Sequence, residues 1–310
     1  MLETRDGIPA ADSPPPADGL AARLRWAERH LAARGVASPR LDAELLLADV
    51  LGTDRAGLRL GRERPLDRRL ADRFVRLVER RGAREPLQYL RGRQEFFSRD
   101  FTVDRAVLVP RPETEILVEV ALERARRVAR PSILDLGTGS GAIAVTLALE
   151  LPQARIVATE ISEPALSAAR ANAVRLGAAA RVQLRRGDLL APCAGERFDL
   201  VVSNPPYVPS AEIAALEPEV GEWEPRLALD GGPDGLAVHR RIAAEVASAV
   251  APGGEVVIEI GRGQGAAVAA IFAAAGFAAR EARRDLAGIE RVLVFARAAG
   301  AAVRGIGDDG

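Results

Sequence analysis

The sequence predicts an α/β fold in which helices cover both faces of a mostly parallel sheet, preceded by a smaller all-α domain. Two observations support this fold class. From residue 132 onward, short apolar runs suited to buried strands alternate with helical segments, and this alternation is typical of parallel sheets because each crossover needs a helix. Residues 19–90, by contrast, place their apolar side chains at helical spacing.

Residues 19–90 are predicted to form a small helical domain. Each of its three predicted helices is followed by a glycine, which ends helices readily because it adopts left-handed backbone angles. Ser38 and Pro39 suit the N-cap and first turn of the second helix. The predicted helices span residues 20–33, 41–51 and 67–81, and the glycines are Gly35, Gly52 and Gly82.

The same region is basic. It contains 16 arginines and 10 acidic residues, a net charge of +6, whereas the whole chain has a formal net charge of 0. These arginines are either the solvated faces of short helices or a docking surface for an acidic partner, such as part of a protein substrate or ribosomal RNA. The sequence leaves both alternatives open.

A β-hairpin bridge is predicted over residues 91–110, ahead of the larger domain at 111–297. Two short strands around a turn at Ser98-Arg99-Asp100 are expected there. A helix at 112–127 then leads into the alternating strands. These strands contain Ile133, Ile156, Val182, Leu200 and Val256, and the last two, at 277–284 and 291–296, are close enough in sequence to pair antiparallel.

A glycine-rich loop directly follows the first predicted strand of the larger domain. Asp135 precedes Gly137-Thr138-Gly139-Ser140-Gly141, and a helical run begins at Ala142. Alternate glycines let a ligand approach the backbone closely, and the helix N-terminus supplies free N–H groups. Dinucleotide sites and purely structural turns have similar loops, so the loop alone does not identify its ligand.

Acidic residues end the next two predicted strands. Glu160 is positioned to take the two hydroxyls of a ribose, and Asp188, which precedes Leu189, is placed to reach an adenine amino group. In an open α/β sheet, ligands bind at the carboxyl ends of the strands. A nucleoside-bearing cofactor is therefore predicted.

The tetrad Asn204-Pro205-Pro206-Tyr207 follows the fourth predicted strand. The Asn204 side-chain carbonyl and the Pro205 backbone carbonyl can both accept hydrogen bonds from a planar NH2 group. Proline fixes φ and removes a donor, and the Tyr207 ring can cover one face of the planar group. The tetrad indicates a site for a conjugated nitrogen, although Asn-Pro-Pro is also an ordinary turn signal.

Together these motifs resemble class I S-adenosylmethionine-dependent methyltransferases. Further segments resemble the HemK/PrmC family, whose members methylate the glutamine side-chain amide of peptide chain release factors. The resemblance covers roughly residues 20–296, and the block 110–115 separates this family from nucleic-acid methyltransferases with the same tetrad. The matching segments are 86–92, 95–96, 109–115, 224–229, 235–236, 259–264 and 290–291.

The resemblance implies a Rossmann-like domain with a seven-stranded sheet and an antiparallel edge strand, and S-adenosylmethionine as cofactor. The implied substrate is the glutamine of the GGQ motif in release factors, whose methylation promotes translation termination. Asn204, Pro205 and Tyr207 are the expected catalytic residues, and Pro206 joins them in binding substrate. The expected cofactor-binding residues are Asp135, Gly137, Thr138, Gly139, Ser140, Gly141, Glu160, Asp188, Leu189 and Asn204.

Two other functions fit parts of the same pattern. A nucleic-acid methyltransferase acting on the adenine amino group would use the same tetrad, but it requires a strongly basic face, and the larger domain is net acidic. A catalytically silent binding protein of the translation machinery would have no reason to keep an intact glycine loop and tetrad. Glu113 and Thr114 are expected either to line the substrate entrance or to cap a helix.

The composition is that of a cytoplasmic enzyme with no membrane segment. A single cysteine, Cys193, excludes an internal disulfide, and with only two histidines a metal site is not expected. No apolar stretch reaches the roughly 18 residues that a membrane span requires. Residues 1–18 and 298–310 are expected to be a disordered leader and tail, and the protein is expected to be a monomer without stable nucleic-acid binding.

Overall fold

The computed structural model describes residues 19–60 and 66–298. It divides into two compact units: the first extends to Gly92 and includes Glu217–Trp223, and the second comprises Arg93–Leu216 and the chain from Glu224 onward. The predicted leader, and all but the first residue of the predicted tail, lie outside the described residues. The sequence placed 217–223 in the larger domain, whereas the structure groups this segment with the helical unit.

The first unit is helical, as predicted. Its core is formed by the apolar faces of its helices, with Trp26, Leu31, Leu46 and Phe74 buried together. Ser38 occupies the N-cap of the second helix but makes no side-chain capping bond to the described residues, whereas Asp67 caps the fourth. The helices are α1 (Leu20–Ala32), α2 (Pro39–Leu51), α3 (Arg55–Leu60), α4 (Arg68–Gly82), α5 (Leu87–Arg91) and α9 (Pro218–Gly221).

Three of these helices are too short to have been found by periodicity. α3, α5 and α9 have six, five and four residues, which is less than two turns, so their apolar residues show no repeat.

α9 is held by ion pairs. The Glu219 carboxylate accepts hydrogen bonds from Arg84 at 2.5 and 2.7 Å, and the buried Arg81 lies 2.8 Å from Glu219 and 2.8 Å from Asp42.

The second unit begins with the predicted hairpin, although its turn lies one residue earlier than expected. Phe97 and Ser98 form the turn, with positive φ angles of 51° and 58°, and Arg99 already pairs with Phe96. This register puts Phe96 and Phe101 on the same buried face, with ring centroids 6.0 Å apart. Burial of both rings therefore decides the position of the turn.

The remaining chain of this unit alternates strands and helices around one seven-stranded sheet of order β5-β4-β3-β6-β7-β9-β8. The first five strands in this order are parallel. β9 lies between β7 and β8 and runs antiparallel to both, which confirms the antiparallel pairing of the last two strands at the edge of the sheet. The elements of the unit are β1 (Arg93–Phe96), β2 (Arg99–Thr102), α6 (Pro112–Ala125), β3 (Ser132–Leu136), α7 (Ala142–Glu150), β4 (Arg155–Glu160), α8 (Glu163–Arg175), β5 (Val182–Arg186), β6 (Phe198–Ser203), α10 (Arg226–Leu229), α11 (Ala237–Val246), β7 (Val250–Glu259), α12 (Gly265–Ala274), β8 (Phe277–Arg284) and β9 (Glu290–Arg297).

The strand order reverses at the centre of the sheet. From β3 the chain moves outward through β4 and β5, then returns to the other side of β3 to form β6. At such a reversal the connections leave in opposite directions and open a crevice at the carboxyl ends of the strands.

No helix within residues 19–60 and 66–298 has the length and apolar character needed to cross a membrane.

Asn172 of α8 joins the hairpin to the glycine loop. It is fully buried, and its Oδ1 accepts from the Thr102 N–H at 2.8 Å. Its Nδ2 donates to the carbonyl oxygens of Thr102 and Ser140, both at 2.9 Å. One side chain thus satisfies three backbone groups, and its hydrogen bond to the Ser140 carbonyl oxygen is buried.

Replacing Asn172 with alanine is expected to destabilise the second unit. Each buried backbone group left unpaired costs about 1–3 kcal/mol, so the free energy of unfolding, measured by urea denaturation with circular dichroism, should fall by at least that amount. Ser167→Ala, at an exposed position of the same helix, is the control. A change within about 0.5 kcal/mol for Asn172→Ala would mean that water replaces these bonds.

Candidate active site

A cleft lies in the second unit at the carboxyl ends of β3, β4, β5 and β6. The glycine loop, the segment before α6 and the segment around α10 all line it. Its lining includes Pro110, Arg111, Thr114, Gly137, Thr138, Gly139, Ser140, Glu160, Ile161, Asp188, Leu189, Asn204, Pro206, Leu227 and Arg241. Most of the residues singled out from the sequence therefore meet here.

The glycine loop needs glycine at its alternate positions. Gly137, Gly139 and Gly141 have φ angles of 71°, 55° and 82°. Residues other than glycine rarely adopt these positive φ angles. A Cβ on Gly141 would also lie 3.2 Å from the Ala169 Cβ, so this glycine permits close packing of α7 on α8. The space above Gly137 and Gly139 is open, which leaves their backbone accessible from the cleft.

Glu160 supports the glycine loop. Its Oε2 accepts the Gly139 N–H and its Oε1 accepts the Ser162 N–H, both at 2.9 Å. The carboxylate lines the cleft with the residue only 7% exposed. Each oxygen retains a second lone pair, so Glu160 can brace the loop and still accept hydrogen bonds from a ligand.

Asp135 lies behind the loop and is fully buried. Its Oδ2 accepts a hydrogen bond from the Thr138 hydroxyl at 2.6 Å. Burial raises the pKa of Asp135 to about 7, although hydrogen bonds from Thr138 and the Ala144 backbone oppose the change. Among the described residues, Asp135 thus contacts the loop and does not line the cleft.

Asp188 and Leu189 lie at the far end of the cleft. The Asp188 carboxylate is exposed and accepts a hydrogen bond from Arg241 of α11 at 2.6 Å. Leu189 adopts a positive φ of 45°, which turns the chain sharply after β5. Both residues line the cleft, and Asp188 has an arginine partner that the sequence did not indicate.

Asn204 lies directly after β6 and is half-buried. Its Nδ2 donates a hydrogen bond to the Thr114 hydroxyl of α6 at 3.1 Å. This contact orients the Asn204 side-chain NH2 group toward Thr114. The amide is planar, so Oδ1 is on the opposite side and available as an acceptor.

The remaining residues of the tetrad, Pro205, Pro206 and Tyr207, differ in burial, and a side chain of the second unit binds the Tyr207 backbone. Pro205 is buried and Pro206 lines the cleft, while Tyr207 is half-buried. The Tyr207 backbone carbonyl accepts a hydrogen bond from Gln264 at 2.9 Å. Burial raises the pKa of Tyr207 to about 12, with Glu259 adding to the effect, so the phenol remains protonated at neutral pH.

Sequence reasoning missed several partners of these residues. Thr114 was considered only as an entrance or capping residue, yet it positions Asn204. Gln264 fixes the Tyr207 backbone, and Arg111 donates to both oxygens of the buried Glu224 at 2.8 Å. The pairs are 57 to 113 residues apart in sequence, so no local pattern reveals them. Within the described ranges, no group of His, Cys, Asp and Glu side chains is arranged to hold a metal ion.

Two protein-family models match parts of this chain. Residues 23–92 match the PrmC N-terminal domain family, and residues 112–217 match the methyltransferase small domain family. Among solved structures, a methyltransferase from Pyrococcus furiosus aligns with a TM-score of 0.48 and 19% identity, covering 64% of this chain and 89% of that one.

Two curated relatives carry the name release factor glutamine methyltransferase. The protein from Geobacter sulfurreducens is 47% identical over 270 residues, which cover 87% of this chain and 94% of the relative. The protein from Moorella thermoacetica is 47% identical over 275 residues, covering 88% of this chain and 97% of the relative. At this identity, over nearly the full length of both relatives, the chain belongs to the release factor glutamine methyltransferase family.

Proposed function

We propose that this protein methylates the side-chain amide nitrogen of the glutamine in the GGQ motif of peptide chain release factors. The observation that carries the proposal is the fixed orientation of Asn204, whose NH2 binds Thr114 and whose carbonyl oxygen is left for a substrate N–H. The family membership supports the same substrate.

The direct test is to incubate the protein with labelled S-adenosylmethionine and either a release factor or DNA, and to locate the label. A label on adenine would overturn the proposal.

The cleft suits S-adenosylmethionine as cofactor. Glu160 has free lone pairs for ribose hydroxyls, the open backbone at Gly137 and Gly139 accommodates the amino-acid end, and Asp188 and Leu189 line the end that suits adenine. The bound cofactor supplies a methyl group activated on a sulfonium. Asp135 supports this site from behind by holding Thr138.

The residues of the chain contribute alignment. An amide nitrogen is a poor nucleophile because its lone pair is delocalised into the carbonyl. Asn204 Oδ1 and the Pro205 carbonyl accept the two N–H bonds and orient the nitrogen, which contributes up to roughly 7–11 kcal/mol in well-aligned reactions. The carbonyl dipoles also stabilise the positive charge that develops on nitrogen. The methylated nitrogen then loses a proton to water, so no base is needed beforehand.

Asn204→Ala should therefore slow catalysis strongly and hardly weaken cofactor binding, although Asn204 is also an expected cofactor-binding residue. Losing one aligned dipole costs about 100- to 1000-fold in rate, which single-turnover methylation of a release factor would measure. Asn204→Asp keeps the acceptor and adds a charge near the sulfonium, so it should retain more activity than alanine. Near-wild-type turnover of Asn204→Ala at unchanged cofactor affinity would contradict the amide-clamp mechanism.

Glu160→Ala should weaken cofactor binding strongly. Each hydrogen bond to a charged acceptor contributes about 1.5–3 kcal/mol, and the variant also frees the N–H of Gly139 from its brace. Calorimetric titration with S-adenosylmethionine is the measurement. Glu163→Ala, an exposed glutamate on the neighbouring turn, should bind normally. Unchanged affinity in a folded Glu160→Ala protein would rule out the ribose assignment.

The helical unit is proposed to dock the release factor. Arg69, Arg73 and Arg76 are exposed on α4, and their spacing of four and three residues puts them on one face. Replacing all three with glutamate should slow methylation of a whole release factor but leave a short glutamine peptide unaffected, because only the protein contacts the docking surface. Equal rates on the whole factor for variant and wild type would identify this face as simply solvated.

A further inference from the structure

Glu259 is a buried carboxyl group beside the active site that the mechanism above does not use. It is the last residue of β7 and is 2% exposed. Its Oε2 has no hydrogen-bond partner among the described residues. Burying a carboxyl group without a partner costs free energy. The position of Glu259 next to the tetrad therefore requires a physical explanation.

The sheet places Glu259 beside Asn204. In the parallel pairing of β6 and β7, Ser203 is opposite Ile258, so Asn204 and Glu259 are the next residues along neighbouring strands. Thr114, from the first turn of α6, links the two side chains. Its hydroxyl accepts from Asn204 Nδ2 at 3.1 Å, and it is near enough to the Glu259 carboxyl group to lower the pKa of that group by hydrogen bonding.

The direction of this chain of hydrogen bonds depends on Glu259. A hydroxyl has one proton to donate, and an ionised carboxylate can only accept. When Glu259 is ionised, Thr114 must donate to it, so the only hydrogen bond Thr114 can make with Asn204 is to accept from Nδ2. When the carboxyl group is neutral, it can donate to Thr114, whose proton is then free to bind Asn204 Oδ1. In that arrangement the amide is flipped and presents NH2 to the substrate, which is the wrong polarity for a substrate NH2.

We propose that Glu259 is a positioning residue: through Thr114 it fixes the orientation of the Asn204 amide so that the carbonyl oxygen faces the substrate nitrogen. This inference rests on the proposed function for the identity of the substrate. Glu259 itself touches neither substrate nor cofactor. It acts only through the orientation of Asn204.

The surroundings of Glu259 put its ionisation within reach of neutral pH. Burial raises its pKa to about 7, opposed by the hydrogen bond from Thr114 and the charges of Arg291 and Arg111, while Glu113 adds to the rise. Tyr207 lies close enough for its own pKa to respond to Glu259. On the other side, the His239 ring from α11 contacts the Glu259 backbone carbonyl at 3.2 Å, and burial lowers the pKa of His239 to about 4, so this ring is neutral.

Three variants test the chain of bonds. Thr114→Val removes the hydroxyl at nearly constant shape, Thr114→Ser retains it, and Glu259→Gln removes the charge. Loss of a hydrogen bond to a charged group costs about 10- to 100-fold, so kcat on a release factor should fall by this amount in Thr114→Val and Glu259→Gln. Thr114→Ser should remain near wild type, and the affinity for S-adenosylmethionine, measured by calorimetry, should be unchanged in all three.

The double variant separates positioning from separate structural roles. If Glu259 acts through Thr114, adding Glu259→Gln to Thr114→Val should cause no further loss of kcat, because residues in one network are not additive. Multiplied losses in the double variant, or a kcat of Glu259→Gln equal to wild type, would overturn the proposal.

A second readout needs no reaction. The chain contains two asparagines and five glutamines, so its side-chain NH2 resonances are few, and those of Asn204 are identified by their loss in Asn204→Asp. With ionisation of Glu259, these resonances should shift in the wild type and in Thr114→Ser but not in Glu259→Gln. A pH-independent Asn204 signal in the wild type would overturn the proposal, whereas a wild type that shifts as expected but methylates no glutamine would refute the proposed function instead.

Discussion

The parallel pairing of β3 with β6 brings the glycine loop next to the tetrad. Leu136 and Ser203 are opposite each other at the ends of these strands, and the Ser203 hydroxyl donates to the Leu136 carbonyl at 2.9 Å. The glycine loop therefore begins directly beside Asn204. Since β3 and β6 are the strands at which the chain reverses direction across the sheet, their ends are uncovered, and a cofactor and a substrate can meet there.

Buried polar side chains then determine the detailed geometry. Asn172 satisfies backbone groups of the hairpin and the loop, Asp135 holds Thr138, and Thr114 holds Asn204. Each connects elements that are distant in sequence. In a low-dielectric interior such bonds are strong and costly to break, so they favour a single arrangement of the loop and the tetrad over several nearly equivalent ones.

One segment between the tetrad and α10 belongs to the helical unit and not to the second unit. Glu217–Trp223 groups with the helical unit, where Glu219 is held by Arg81 and Arg84. The chain returns to the second unit at Glu224, which pairs with Arg111 next to the cleft. Glu219 within this segment and Glu224 directly after it are thus both carboxylates at least half-buried and paired with arginines.

The sequence by itself determined the longer elements and their order, but not the short helices α3, α5 and α9. The strands, the long helices and the loop at 137–141 depend on the local spacing of apolar residues and on the backbone angles that glycine and proline impose, and a short window of sequence shows both. The same local information placed Glu160, Asp188 and Asn204 at strand ends, and hence at one edge of the sheet. Only the tertiary structure decided which partners those side chains have. Asn204 meets Thr114 and Asp188 meets Arg241 across 90 and 53 residues of sequence, because strand register and helix packing, which depend on burial over the whole core, bring them together.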